Sequence, residues 1–260
     1  MALSWNPQEI QWYEEALRWS NYPQSVLGSI LDREIKESDT VLDLGSGIGA
    51  IALYVAPFCQ LVKAVDSQAK ALEILQEKAQ NLGLQNVETY LGSWPDVNVE
   101  RADVTICSYS PPISRSKQGL DKIINVTGRT GIILTPYRNM SENKVLREFA
   151  SLLGIQSKQS SCDNGCWEKG FLESKNLELQ CQLIKHDFSQ PVRDYEEAWE
   201  FLRNQLDAPA HLKEQALHRI PDYLEEKNGR LLIPIIRESC LIVFKKMSPR
   251  GQGDGDFGSP

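Results

Sequence analysis

The chain has 260 residues, 41% of them hydrophobic and 24% charged, and carries a net charge of −7. That suits one large globular domain, or one domain with an insertion. The acidic balance argues against a sequence-independent grip on nucleic acid, which needs a basic face, and no run approaches the ~20 apolar residues of a membrane span.

The N-terminus, Met1-Ala2-Leu3-Ser4-Trp5-Asn6-Pro7, has neither the basic start nor the apolar centre of a secretory leader, so a cytoplasmic protein is expected. Residues 7–34 predict two helices, broken around Asn21-Tyr22-Pro23. Trp5, Trp12 and Trp19 recur every seven residues, which sets at least the latter two on one helix face. That face packs on the main domain, closes over a ligand, or does both.

From Asp39 strand and helix alternate. Thr40–Leu44 reads as a strand, Ile48–Pro57 as a helix, and Leu61–Val65 as a strand ending at Asp66. A helix follows over Gln68–Leu82, closed by Gly83, then strands over Val87–Leu91 and Ala102–Cys107. Ser116–Asn125 reads as a helix, Thr130–Thr135 as a strand, and Glu142–Leu153 as a helix. Strands separated by such helices predict a doubly wound α/β fold, its mostly parallel sheet covered on both faces. Cys162 and Cys166, with Cys181 and His186 beyond them, lack zinc-ligand spacing and read as ordinary thiols, so no metal is expected.

Leu177–Phe188 and Ser239–Lys246 read as long strands, expected as an antiparallel pair, which brings the sheet to seven strands. Between them Tyr195–Leu206 and Leu212–Glu226 read as helices. The predicted division is a helical cap (1–37), an α/β core (38–188), a helical insertion or lid (189–236), the last strand (237–247) and a disordered Gly- and Asp-rich tail (248–260).

Val41-Leu42-Asp43-Leu44-Gly45-Ser46-Gly47-Ile48-Gly49 is the most informative stretch: strand, glycine turn, helix. Glycines there let a ligand lie against bare backbone, and the helix start offers unpaired N–H groups. Asp66 ends the next strand, where a carboxylate can accept from both hydroxyls of a ribose. Gly92-Ser93-Trp94 follows the third strand, where a flat side chain can cover a purine.

These residues resemble the class I S-adenosylmethionine-dependent methyltransferases, well over about residues 38–136 and loosely outside them. Asp43-Leu44-Gly45-Ser46-Gly47-Ile48-Gly49 is similar to that family's first motif, an acid followed by Gly-x-Gly-x-Gly. The resemblance implies a Rossmann-like fold with S-adenosylmethionine as donor. Gly45, Ser46, Gly47 and Gly49 would lie against its methionine portion, and Asp43 would act through water or the amino group. Asp66 and Ser67 would hold the ribose, Ser93 and Trp94 the adenine, and Ser108 would line the same site. Ser93 stands where many members carry an acid.

The competing reading is a nicotinamide or flavin dinucleotide site, since Gly45-x-Gly47-x-x-Ala50 also fits that looser fingerprint. Asp43 counts against it, because a diphosphate there would meet a carboxylate. A sulfonium would not.

Ser108-Tyr109-Ser110-Pro111-Pro112-Ile113 resembles the Asp/Asn/Ser-Pro-Pro-aromatic loop of amino-methyltransferases that act on nucleobases or glutamine amides, with Ile113 in place of the aromatic. Tyr109 and Ser110 are the catalytic candidates. Tyr109, Pro111, Tyr137 and Arg138 are the acceptor-binding candidates, Arg138 for a carboxylate or phosphate. His186 stands near a strand end by the active-site rim, and His211 and His218 share a helix; one of them could serve as a general base, but a solvated or capping role is the expectation for all three. The expected activity is methyl transfer to a small or modest-sized acceptor. The alternatives are nucleic-acid or protein amide N-methylation through the Ser-Pro-Pro loop, and a donor-binding module without catalysis. A small-molecule acceptor is the expected partner, not nucleic acid or membrane, and no oligomeric state follows from the residues.

Overall fold

The computed structural model describes residues 5–137, 144–155 and 166–246. Arg138, Cys162 and the expected tail lie outside them, and of Cys166 only the backbone is described. Helix α1 (Pro7–Ser20) begins where the Asn6 side chain accepts from the Glu9 N–H and Pro7 occupies a position that needs no N–H. Asn21, in left-handed backbone, ends it. Helix α2 (Gln24–Glu34) follows.

The alternating region gives β1 (Thr40–Leu44), α3 (Ala50–Val55), β2 (Leu61–Asp66), α4 (Ala69–Asn81), β3 (Val87–Leu91) and β4 (Ala102–Ser108). Next come α5 (Pro111–Ser114), α6 (Lys117–Val126), β5 (Thr127–Pro136), α7 (Lys144–Leu152), α8 (Cys166–Glu173) and β6 (Leu177–Asp187). The seven-stranded sheet has the order β3-β2-β1-β4-β5-β10-β6, where β10 is Ile236–Lys246. The first five strands are parallel, and β10 runs antiparallel to both its neighbours. The two long late strands therefore pair as the sequence predicts.

Strand order reverses between β1 and β4, and ligands of doubly wound sheets bind outside the carboxyl ends at such a point. Because β10 is reversed, its first residues share that edge with the last residues of β4, β5 and β6. One sheet face packs on α2 and α3 through Leu27, Leu31, Ala52 and Val55. The other packs on α6 and α8 through Leu120, Ile123 and Leu172.

Residues 189–236 depart from the expected pair of helices. Helix α9 (Tyr195–Leu206) forms as predicted, with Asp194 as its cap. The second helix is shorter: α10 (Lys213–Arg219) passes at Pro221 into a 3-10 turn that ends at Tyr223. Beyond it β8 (Glu225–Lys227) and β9 (Arg230–Ile233) make a hairpin, and β7 (Gln190–Val192) completes a small antiparallel sheet. Asn228 and Gly229, at φ 53° and 69°, form its two-residue turn, a pairing whose positive φ values suit the twist of a hairpin. This region has its own core, built from Trp199, Phe201, Leu202, Ile220 and Ile233 with Phe149 of α7 and Trp12 of α1.

Candidate active site

The turn after β1 is held by backbone bonds: the N–H groups of Gly45 and Ser46 both donate to the Val65 carbonyl. Gly45 and Gly47 have φ of +72° and +52°, a region that costs a side-chain-bearing residue roughly 1–2 kcal/mol. Space is short as well. A Cβ on Gly45 would lie 2.4 Å from Ser110 Oγ, and one on Gly47 would lie 2.7 Å from the Trp5 ring.

Asp43 is buried at the end of β1, where its Oδ2 accepts the Ala52 N–H at 3.1 Å. It thereby satisfies the first turn of α3, whose own cap position is Gly49. Burial, and then the Asp66 charge, push the Asp43 carboxyl up to about 7. A cation placed here would draw that carboxyl back to its charged form. Asp66 stands at the end of β2, half-buried, with Oδ2 accepting the Gly47 N–H at 2.8 Å and Oδ1 the Gln68 N–H at 2.9 Å. Each carboxylate oxygen keeps a second lone pair for a hydroxyl. The Ser46 hydroxyl is buried and has no hydrogen-bond partner, a polar atom that a ligand would satisfy. Cβ-free backbone, two carboxylates and an orphaned hydroxyl together fit a cationic, ribose-bearing molecule.

Ser67 and Ser93 are exposed at the same edge. Trp94 is half-buried: its indole N–H donates to the Gly119 carbonyl at 3.0 Å, and the Lys122 ammonium lies 4.7 Å from its ring centre. The indole is thus tied to α6. Leu91, which the sequence reading passed over, is 61% exposed and registered beside Asp66, so it offers an apolar face next to the carboxylate.

On the other side of the reversal, Ser108 bonds the Tyr22 hydroxyl at 2.5 Å. Tyr109 has φ +49°, unusual for a residue with a side chain. Its hydroxyl lies 2.8 Å from Ser239 Oγ and 3.2 Å from His186 Nε2. Ser110 stands at the N-cap position of the short α5, its side chain making no capping bond and resting instead on Gly45, with Ile113 beside it. The buried Glu168 ties this loop to the sheet by accepting from Ser114 at 3.2 Å and Thr135 at 2.9 Å. Tyr137 follows β5, and its N–H donates to the Glu238 carbonyl.

A solvated or capping role is the sequence expectation for His186, but the structure buries it among aromatic rings. Tyr22, Tyr109 and Phe188 surround it, Tyr13 packs on Phe188, and Arg237 lies against Phe188 and Tyr109. Burial, reinforced by the Arg237 charge, lowers His186 to about 4, so its ring is neutral near pH 7. Burial raises Tyr109, against the opposing pull of Arg237. His211 and His218 lie in the insertion, at α10 and the turn before it.

The N-terminal segment covers this ground. Trp5 lies on Gly47 and meets Tyr13 edge-on at 5.4 Å. Trp12 points the other way, its N–H on Glu197 at 3.3 Å and its ring edge-on to Phe201. Trp19 lies under the Lys227 ammonium. Trp12 and Trp19 thus dock α1 on the insertion, and Trp5 reaches the glycine turn. Among the described residues no helix is long and apolar enough to cross a membrane, and no group of three or more His, Cys, Asp or Glu side chains suits a metal ion.

The profile of the methyltransferase domain family matches residues 35–197. The release factor glutamine methyltransferase of Buchnera aphidicola subsp. Schizaphis graminum is 39% identical over 175 residues, 64% of this chain and 59% of that protein. The uncharacterized methyltransferase YcgJ of Bacillus subtilis is 28% identical over 126 residues, 46% of this chain and 49% of that protein. The chain therefore spans about half the length of these curated relatives. The crystal structure of YcgJ superposes with a TM-score of 0.56 at 20% identity, covering 86% of this chain and 98% of that one. Precorrin-6y C5,15-methyltransferase of Geobacter metallireducens gives 0.52 at 10%, covering 86% and 88%. At these identities the two structures speak for the fold. The chain belongs to the class I S-adenosylmethionine-dependent methyltransferase family, subfamily unspecified.

Proposed function

We propose that this family member transfers a methyl group from S-adenosylmethionine to a small or modest-sized acceptor. The observation that carries the reading is the joined geometry of the glycine turn, the buried Asp43 and Asp66, whose carboxylate already organises the Gly47 N–H. When bound, S-adenosylmethionine supplies an electrophilic methyl carbon on a positively charged sulfur. Asp66 accepts from the ribose hydroxyls, Leu91 and the Ser93-Trp94 turn flank the base, and Ser46 and Asp43 serve the amino-acid end. Tyr109 and Ser110, between the donor turn and the edge made by the carboxyl ends of β5 and β6 and the first residues of β10, line the acceptor side with Pro111 and Tyr137. Their task is alignment and the exclusion of water, which can supply roughly 7–11 kcal/mol of the barrier. The N-terminal helices and residues 189–236 act together as the lid, and Trp5 moves off Gly47 when the donor enters.

Calorimetric titration with S-adenosylmethionine and with S-adenosylhomocysteine tests the reading; no heat from either at millimolar concentration rejects it. A second reading, transfer to a glutamine amide of a protein, is favoured by the release factor glutamine methyltransferase relatives and by the Ser110-Pro111-Pro112 loop. Tritiated methyl incorporation into a glutamine-bearing peptide, and none into small acceptors, would select it.

A further inference from the structure

Arg237 lies near the start of β10, registered opposite His186 and half-buried. Its guanidinium carbon is 3.4 Å from the centre of the Phe188 ring and 4.9 Å from that of Tyr109. Two acids stand close to it in sequence and register, and both are engaged elsewhere. Glu238 pairs with Lys185, and Asp187 accepts the Ser189 N–H. Among the described residues no carboxylate forms an ion pair with Arg237, although the chain holds 35 acids against 28 basic residues. The Tyr109 hydroxyl takes one hydrogen bond from this guanidinium; the rest of its edge, a rigid fork of N–H donors, is left for a planar anion.

Two features next to Arg237 point to a ligand. His186 is only 9% exposed, yet its Nδ1 has no hydrogen-bond partner. Tyr109 holds left-handed backbone at the end of β4, strain of the kind that gathers at functional sites. The surroundings are aromatic: Tyr22 and Phe188 are buried, and Tyr13 and Tyr109 half-buried against them. Tyr13 touches the same Trp5 that lies on Gly47, so one segment covers both the donor turn and this cluster.

We propose that Arg237 is the anion-recognition residue of the acceptor subsite, and that the acceptor is a small planar carboxylate. This rests on the methyl-transfer reading above. The carboxylate takes the guanidinium edge, its ring lies among the tyrosines and Phe188, and His186 Nδ1 gains a partner.

The test is calorimetry on the full chain, saturated with S-adenosylhomocysteine, using benzoate, indole-3-carboxylate and quinoline-2-carboxylate against their primary amides. At least one acid is expected to bind tenfold or more tightly than its amide. Arg237→Gln should erase that gap and Arg237→Lys should keep part of it, while both hold S-adenosylhomocysteine within about twofold of the parent, which also reports an intact fold. Failure of all three acids, equal binding of acid and amide, or a gap that survives Arg237→Gln overturns the proposal. Phenyl phosphate binding without any carboxylate binding overturns it too. If S-adenosylhomocysteine itself does not bind, the donor reading fails, and the same acid and amide titrations without it still decide the role of Arg237.

Discussion

Asp43→Asn separates stability from function at one atom. Asp43 is 1% exposed, has one hydrogen-bond donor (the Ala52 N–H), and its carboxyl is raised from 3.8 to about 7. A group whose folded pKa is raised favours the fold below its unfolded pKa and loses that contribution as pH climbs through the folded value. Here the loss runs from about pH 4 to pH 7. At 1.36 kcal/mol per unit, the ionised side chain costs on the order of 4 kcal/mol at pH 8. An amide keeps the shape and still accepts from Ala52, but it buries an NH₂ group at about 1–3 kcal/mol. The net gain at pH 8 is therefore roughly 1–3 kcal/mol, or about 2–10 °C in Tm for a chain of this size. Scanning calorimetry of parent and variant at pH 8 and pH 4.5 checks it, and the gain should vanish or reverse at the lower pH. Donor affinity should fall at least tenfold in the same variant, the trade of function for stability common at such sites. A variant less stable than the parent at pH 8, or one with the same offset at both pH values, refutes the reasoning.

Gly47→Val places a branched side chain at φ +52° against the Trp5 ring. It should cost about 2 kcal/mol or more and abolish S-adenosylhomocysteine binding, read by urea melts and calorimetry. Trp12→Ala removes the ring that joins α1 to α9 and leaves Glu197 without its indole donor. A loss of about 3–5 kcal/mol is expected, with faster amide exchange across α1 by mass spectrometry. Tyr109→Phe strips the hydroxyl shared by His186 and Ser239. It should cost about 1–3 kcal/mol and lower kcat more than it alters donor affinity.

The residues proposed for the donor were legible because their signals are local. Asp43, Gly45 and Gly47 lie within five residues, and Asp66 is marked by the end of an apolar run. The alternation of strand and helix fixed the fold class in the same way, since hydrophobic period is read within one element. The cluster proposed for the acceptor was not legible, because it is made by register. Tyr109 meets Ser239 across 130 positions and His186 across 77, and no window of sequence holds both partners. Trp94 shows a different limit. Its type suits the purine cover proposed above, while its side-chain direction is set by α6, whose Gly119 carbonyl and Lys122 engage the indole, and no local pattern reads that. The β8–β9 hairpin was readable and passed over: Asn228-Gly229 is a strong short-range turn signal, and the charged run before it looked helical.

The central claim is that the turn behind β1 seats a sulfonium nucleoside with its sugar on Asp66. A crystal soaked with S-adenosylhomocysteine tests it most directly. The account predicts difference density running over Gly45 and Gly47, both ribose hydroxyls within hydrogen-bond distance of the Asp66 carboxylate, and Trp5 displaced from Gly47. An unchanged crevice with Trp5 still against the turn, or a sugar bound away from Asp66, would contradict it.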